Sequence, residues 1–452
     1  MVASNSIYAR DNQTVAGLQK LRFFPLALTG GHGAYVVDEA GRDLLDLSAA
    51  WGAASLGYGH PAIVEAVSAA VRNPAGASIL SATHLGAVDL AQQILATLPE
   101  LPDHKVWFGH SGSDANETAF RAIAAATGRP RVIAFSGAYH GGTAGSMAIS
   151  GHAVQSHAAR ADGLTLIPYP SPYRGEDGEA VLERLAELFA TTLPASEVGA
   201  LFIEPIQSDG GFLVPPPGFL KRLVNMCRAH GILIVSDEVK VGLARTGLMH
   251  CFRHEFFTPD LVCLGKGLGG GLAISALVGP AAVMDHATAF AMQTLHGNPV
   301  SVAAASAVLA TIETERLATN AATVGASLLV GLEALKARHP SIGDVRGRGL
   351  AIGVELVSDR AAKTPSKNLA AKTVYRAFEL GLVVYYVGLN SNVLELTPPL
   401  VLTRVQASDA ISILDRALSD VEQGRVSYDA VTDFAGGQPA RQGTCREPDL
   451  RL

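Results

Sequence analysis

The sequence predicts an α/β fold: a large domain on a mostly parallel sheet, joined to a smaller α+β domain. Three observations carry this. Short apolar runs alternate with helical patterns from about residue 60 to 310. Past residue 310 the texture changes, and long helical patterns meet strand-like runs. The 452-residue chain is 48% hydrophobic and only 17% charged, enough apolar material for a sizeable core and too little charge for a disordered chain. At roughly 150 residues per domain, this length suits about three units or one large domain with a smaller companion.

The elements follow in order. AYVVDEAGRDLLDLS pairs two strands around Ala40-Gly41, in an N-terminal segment (1–50) expected to pack with the small domain. His60-Pro61 opens a helix through Val71, because proline suits the first helical position. KVWFG (105–109) reads as a buried strand, and SGSDANETAFRAIAAATG as a turn and a helix stopped at Gly128. RVIAF (131–135), LTLIPY (164–169), GALFIEP (199–205), ILIVSDEV (232–239), LVCLG (261–265) and ISALVG (274–279) are further apolar strands. Helices such as Phe219–His230, stopped by Gly231, lie between several of them. Such alternation implies a parallel sheet covered on both faces, here the large domain, 51–310. Helical patterns at Ala321–Ala337 and Leu369–Leu380, with GLAIGVEL, GLVVYYV and VLELTPPL, make the small domain, 311–435. Residues 436–452 form a polar, Gly/Pro/Arg-rich tail.

Several function classes are excluded. The net charge is -6 and no Lys/Arg-rich run exists, so no nucleic-acid partner is expected. The 47 glycines follow no fixed period, against a collagen or solenoid. Cys227, Cys251, Cys263 and Cys445 form no CxxC pair and read as free thiols in a reducing compartment. The N-terminus lacks an apolar signal core, and no apolar stretch approaches the ~18 residues of a membrane span. The expectation is a cytoplasmic enzyme with no membrane partner and no metal.

Three motifs carry chemistry. SGSDAN (111–116) lies between a strand and a helix, where small residues let backbone amides approach an anion; the alternative is an ordinary capped turn. GHSGS nearly spells a nucleophile elbow, but Ser113 replaces its last glycine. In SDEV, Asp237 and Val239 are two apart and so share one side of a strand. A carboxylate beside an apolar face suits a flat protonated heteroaromatic ring; the alternative is a strand-end Asp capping a loop. In GKGLGGG (265–271), partly apolar surroundings would depress the Lys266 amine and make it a nucleophile or base. The alternatives are a solvated charge or a dinucleotide loop, though ISALVG follows where that loop needs a helix. The order is more specific than any motif: a phosphate turn, Tyr139-His140, Asp237 and Lys266 at successive strand ends, where open α/β sheets hold ligands. A phosphate cradle, a stacking aromatic, an acid for a ring nitrogen and a covalent lysine are what pyridoxal 5'-phosphate needs.

The segments YGHPAI, SGSDANE, AYHG, EPIQSDGG, DEVKVGLARTG, LGKGLGGG and HGNPVSVAAA resemble those of the class III aminotransferase family of fold type I pyridoxal-phosphate enzymes. A narrower likeness, to the racemases of α-amino-ε-caprolactam and amino-acid amides in that family, runs from about residue 7 to 420. LQKLRFFPLA, AWGAASLGYGHPAI, VWFGHSGSDANE, FAMQTLHGNP and LGLVVYYVGLNSNVLELTPPL carry it. The resemblance implies a homodimer with its sites at the subunit interface. Lys266 would bind the cofactor covalently, Asp237 would pair with its ring nitrogen, and Ser111, Gly112 and Ser113 would hold its phosphate. Tyr139 would stack on one ring face, as a catalytic candidate beside Lys266, and Val239 on the other. Thr294 would reach the neighbouring subunit's phosphate. Lys240, where the family usually has Gln, would address the phenolic oxygen or else be a surface lysine. Trp51 would wall the substrate pocket or simply pack in the core.

Members that move amino groups usually bind the substrate carboxylate with an Arg just before Pro-Pro-Leu. Here Glu395, in LELTPPL, stands in that place. A glutamate would repel a carboxylate and accept from an amide N–H, unless it faces solvent and another Arg serves. The expected function is therefore racemisation of an aminolactam or amino-acid amide: Lys266 takes the Cα proton on one face and Asp209, in QSDGG, supplies one on the other. Otherwise Asp209 is a turn former. An aminotransferase, a decarboxylase and a non-catalytic relative are the alternatives.

Overall fold

The computed structural model describes residues 6–152, 161–286 and 291–434. The tail expected at 436–452, and Cys445 within it, lie outside the described residues.

Seven strands form the central sheet, in the order 104–109, 275–280, 261–264, 233–237, 198–203, 131–135, 164–167. Val198–Ile203 and Leu261–Leu264 are buried along their whole length, as continuous apolar runs require between two helical layers. One expectation needs correction. Ser275–Pro280 runs antiparallel to both of its neighbours. Its link to Leu261–Leu264 is the glycine-rich stretch around Lys266, with a single short turn at Lys266–Gly269. That is too short for the helical crossover a parallel pair needs. His104–Gly109 is likewise an edge strand, fully buried only at Phe108 and Gly109.

In the second unit, Ile342–Arg348, Ala351–Asp359, Val393–Leu396 and Tyr385–Val387 form an antiparallel sheet. The helices Leu317–Arg338 and Arg404–Glu422 pack together beside it. The N-terminal strands Leu28–His32, Tyr35–Asp38 and Asp43–Asp46 are closed by Leu382–Val383, which pairs in parallel with Leu45 and Asp46. Residues before 50 thus share a sheet with the chain beyond 380.

Contrary to the sequence expectation, Leu317–Arg338 is a 22-residue helix with a mean hydropathy of 1.3, long and apolar enough on paper to cross a membrane. Its buried residues fall on one stripe, however: Leu317, Ala321, Val324, Leu328, Leu332 and Leu335 are in the core, while Val330 on another face is 73% exposed. That is the 3.6-residue periodicity of a core helix.

Between the two units the chain makes a left-handed turn, with φ of 45° at Ala49, 49° at Ala50 and 64° at Trp51. Each such residue costs about 1–2 kcal/mol. The buried Asp46 carboxylate offsets this. Its Oδ1 accepts from Ser48 N (2.7 Å), Ser48 Oγ (2.8 Å) and Ala49 N (3.0 Å), and its Oδ2 from Tyr58 Oη (2.6 Å). Asp46→Ala strands these donors and should lower stability by about 3 kcal/mol. Chemical denaturation checks this, and a loss under 1 kcal/mol would contradict the role.

Candidate active site

The C-terminal ends of the parallel strands open into a cleft of about 370 Å³, lined by residues including Ser111, Gly112, Ser113, Tyr139, Asp237, Val239, Lys240 and Lys266. The tight packing of its strand ends explains the glycines. A Cβ at Gly112 would lie 2.6 Å from Val239 Cγ1.

Ser111 caps the helix Gly112–Thr127, with its Oγ accepting from Asp114 N. The Asp114 carboxylate takes the amides of His110 (2.9 Å) and Ser111 (3.0 Å). The amides of Gly112 and Ser113 sit in the first turn, where no intrahelical acceptor exists, and the helix dipole favours an anion. Ser113 Oγ accepts from Gly142 N at 3.0 Å, so its own proton is left to donate. The turn is therefore capped, and the capping leaves the Gly112 and Ser113 amides free of intrahelical acceptors. Gly112→Ala would push Val239 aside at about 1–3 kcal/mol. Cofactor dissociation should rise roughly tenfold or more in equilibrium dialysis; an unchanged constant would contradict the packing role.

Asp237 ends its strand, which stops there. Val239 therefore does not share a strand face with it, as sequence alternation suggested. Instead, Asp237 Oδ1 accepts from Val239 N at 3.1 Å, and this local turn swings the valine over Gly112. Oδ2 takes two donors, Asn116 Nδ2 and His140 Nδ1, each at 2.8 Å. Burial disfavours the charged form of His140, but its hydrogen bond to Asp237 and the charge there outweigh this and raise its pKa. A carboxylate so supported is fit to accept one more N–H, from a pyridinium nitrogen.

Lys266 opens the glycine turn with φ 41°. Ser55 Oγ pins the next residue by donating to Gly267 O at 2.7 Å. Burial, reinforced by the Lys240 ammonium, holds the Lys266 amine below its ordinary pKa. A neutral amine is what carbonyl attack and proton abstraction need.

Tyr139 is half exposed at the cleft, and its amide donates to Glu204 Oε1 at 3.1 Å. Burial raises its phenol pKa, with the Asp209 charge adding to the effect. Burial likewise raises the Glu204 pKa; Glu204 Oε2 accepts from Ser208 N (3.0 Å) and Ser208 Oγ (2.6 Å). This carboxylate ties Tyr139 to the loop carrying Asp209.

The far wall differs most from expectation. Lys240 is no surface lysine; it is 7% exposed, with Nζ 2.6 Å from Glu395 Oε1 and 3.7 Å from Asp209 Oδ1. Its ammonium lies 5.0 Å from the Trp51 ring centre. Glu395 neither faces solvent nor lines the cleft: it is 0% exposed and sits behind Lys240. A substrate amide would have to displace Lys240 to reach Oε1. Trp51 packs against Tyr385, ring centres 4.9 Å apart, and Phe23, at 5.9 Å, and is not among the cleft-lining residues, so the core-packing alternative describes its contacts. Thr294 is exposed and is not among the cleft-lining residues.

A larger hollow of about 630 Å³ is lined mainly by apolar groups such as Trp107, Phe120, Met284 and Met292, and its Lys105 is engaged by Asp285. It brings no such acid, amine and anion cradle together.

Sequence reasoning assigned no role to Asn116, Glu204, Asp46 or Ser55. Asn116 was findable: it lies four residues after Gly112, on the same helix face, and its Nδ2 also reaches Gly112 O at 3.1 Å.

Residues 18–418 match the family described as Aminotransferase class-III. The chain is 38% identical over 447 residues to the alanine/serine racemase of Pyrococcus horikoshii, covering 95% of this chain and 93% of that protein. It is 35% identical to the isoleucine 2-epimerase of Lentilactobacillus buchneri, over 96% and 98% of the two chains. Among solved structures, the PLP-bound form of an amine transaminase from an uncultivated Pseudomonas species superposes with a TM-score of 0.81 at 31% identity, covering 87% of this chain and 94% of that one.

Proposed function

The chain belongs to the class-III aminotransferase family, has its fold type I architecture and uses pyridoxal 5'-phosphate, and from that premise we propose that it is a racemase acting on α-amino amides or aminolactams. The bound cofactor supplies an electron sink for the pair left when the Cα proton departs. The chain's residues do the rest. Ser111, Gly112 and Ser113 anchor the phosphate, Asp237 keeps the ring nitrogen protonated, and Tyr139 and Val239 hold the ring between them. Lys266 Nζ carries a proton on one face of Cα and an Asp209 oxygen on the other.

The observation that carries this reading is the pair of proton carriers. Asp209 Oδ1 lies 3.7 Å from Lys240 Nζ, and Lys240 lines the cleft together with Lys266, although Asp209 itself is not among the lining residues. Racemisation needs two such groups; transamination at a single face does not. The relatives named as a racemase and an epimerase support the same reaction class.

Substrate choice rests on charge. Among the described residues lining the cleft, none is arginine. The Lys240 ammonium that lines the cleft is already engaged by Glu395, with Asp209 beside it, so a substrate carboxylate would have to compete with two carboxylates for it. A neutral amide meets no such penalty. The relatives' names favour a second reading, free amino acids such as alanine or isoleucine. Racemisation rates for one enantiomer of an α-amino amide and of its parent acid separate the two. The amide should be preferred at least about tenfold in kcat/KM, a difference of ~1.4 kcal/mol. Preference for the acid would overturn the amide assignment and leave racemisation standing. The sequence suggests Glu395→Arg as a specificity test, but that change would bury a second cation against Lys240 and chiefly destabilise the protein.

We also infer a cytoplasmic homodimer, in keeping with the buried free thiols Cys227, Cys251 and Cys263, with Thr294 serving the neighbouring subunit's site.

A further inference from the structure

We propose that Glu395 is a positioning residue that restrains the Lys240 ammonium and so leaves Asp209 free to carry the second proton. This rests on the racemase reading. Lys240 lies between two carboxylates and is shared unequally: 2.6 Å from Glu395 and 3.7 Å from Asp209. The first distance is a close charge-assisted hydrogen bond; the second is outside hydrogen-bond range. Glu395 is itself fixed, because Thr397 Oγ1 donates to the same Oε1 at 3.1 Å and the strand Val393–Leu396 is buried throughout. Its Oε2 is buried with no hydrogen-bond partner; Lys240 is the cation in direct contact with this carboxylate, while the Arg245 and Lys266 charges act on it from farther away.

Among the described residues, Gly388 N donates to Asp209 O at 3.0 Å, while the Asp209 side chain, 3.7 Å from Lys240 Nζ, stays partly exposed. The other charged or titratable groups near Asp209 are Tyr139, Glu204 and Lys266. None of them can restrain Lys240 as Glu395 does. Without the Glu395 charge, the nearest anion for a buried ammonium is Asp209. A full ion pair would then occupy the carboxylate that has to exchange a proton with Cα. The proton ledger is simple: one proton leaves Cα to one carrier, and one returns from the other.

The test uses cofactor-loaded wild type, Glu395→Gln and the double variant Lys240→Met/Glu395→Met, which removes both partners of the ion pair. Deuterium uptake from D2O is followed in each enantiomer of an α-amino amide. Wild type should label both enantiomers. In Glu395→Gln, labelling of the enantiomer whose proton faces Asp209 should fall about ten- to a hundredfold further than that of the other. The double variant should restore the ratio, since no cation is left to capture Asp209. A crystal structure of Glu395→Gln should show Lys240 Nζ within direct hydrogen-bond distance of Asp209. Equal loss for both enantiomers, an unrestored ratio or an unmoved Lys240 each overturns the positioning role. Failure of wild type to label both enantiomers overturns the racemase reading instead.

Discussion

Lys266→Ala abolishes turnover, by at least about ten-thousand-fold, whichever face of the substrate is attacked. The size of the effect follows from the double duty of one amine. On the proposed reading, Lys266 Nζ is both the covalent tether of the cofactor and the base on one face of Cα. Its burial keeps the amine below its ordinary pKa, with the Lys240 charge assisting. Among the described residues, the other lysine lining the cleft, Lys240, is engaged by Glu395 and does not replace it. Borohydride treatment followed by intact-mass measurement checks the tether independently of activity. Wild type should retain the cofactor mass on the chain, and the variant should not. Cofactor fixed to the variant would mean another lysine holds it.

Asp209→Asn should reduce racemisation by about a hundred- to ten-thousand-fold, the usual worth of a positioned proton carrier. The loss is one-sided. Exchange of the proton that faces Lys266 survives, because the Asn side chain is close in shape and leaves the Gly388–Asp209 backbone contact in place. Exchange of the opposite enantiomer's proton disappears. Following the α-proton by NMR in D2O, one enantiomer at a time, separates the two faces. Equal decline in both would reduce Asp209 to a turn former, the reading its place in Ser-Asp-Gly-Gly also allows.

The parts of the site legible in the sequence are those whose meaning is local. A strand end followed by small residues and a helix marks a capped helix start with free amides, as at Ser111–Ser113. A lysine among glycines after an apolar strand marks a buried amine, as at Lys266. The doubly wound sheet was legible for the same reason, since its continuous apolar strands need two helical layers. What escaped depends on partners far apart in the chain. Glu395 read as a group facing substrate because nothing near it in sequence reveals Lys240 in front of it. Trp51 is placed by a left-handed turn that only the buried Asp46 carboxylate makes tolerable, and such strain leaves no composition signal. Val239 shows a subtler failure: its place beside Asp237 was inferred from a strand that ends two residues too early. The reversed direction of Ser275–Pro280 was visible only in the shortness of its connection.

One incubation tests the central claim most directly. The purified, cofactor-loaded protein is mixed with a single enantiomer of an α-amino amide in D2O, with no oxo acid present. Two-face proton transfer predicts that optical rotation decays to zero, deuterium enters Cα of both enantiomers, and no carbonyl product forms. Retained optical purity, with nitrogen transfer starting only once an oxo acid is added, would contradict the account.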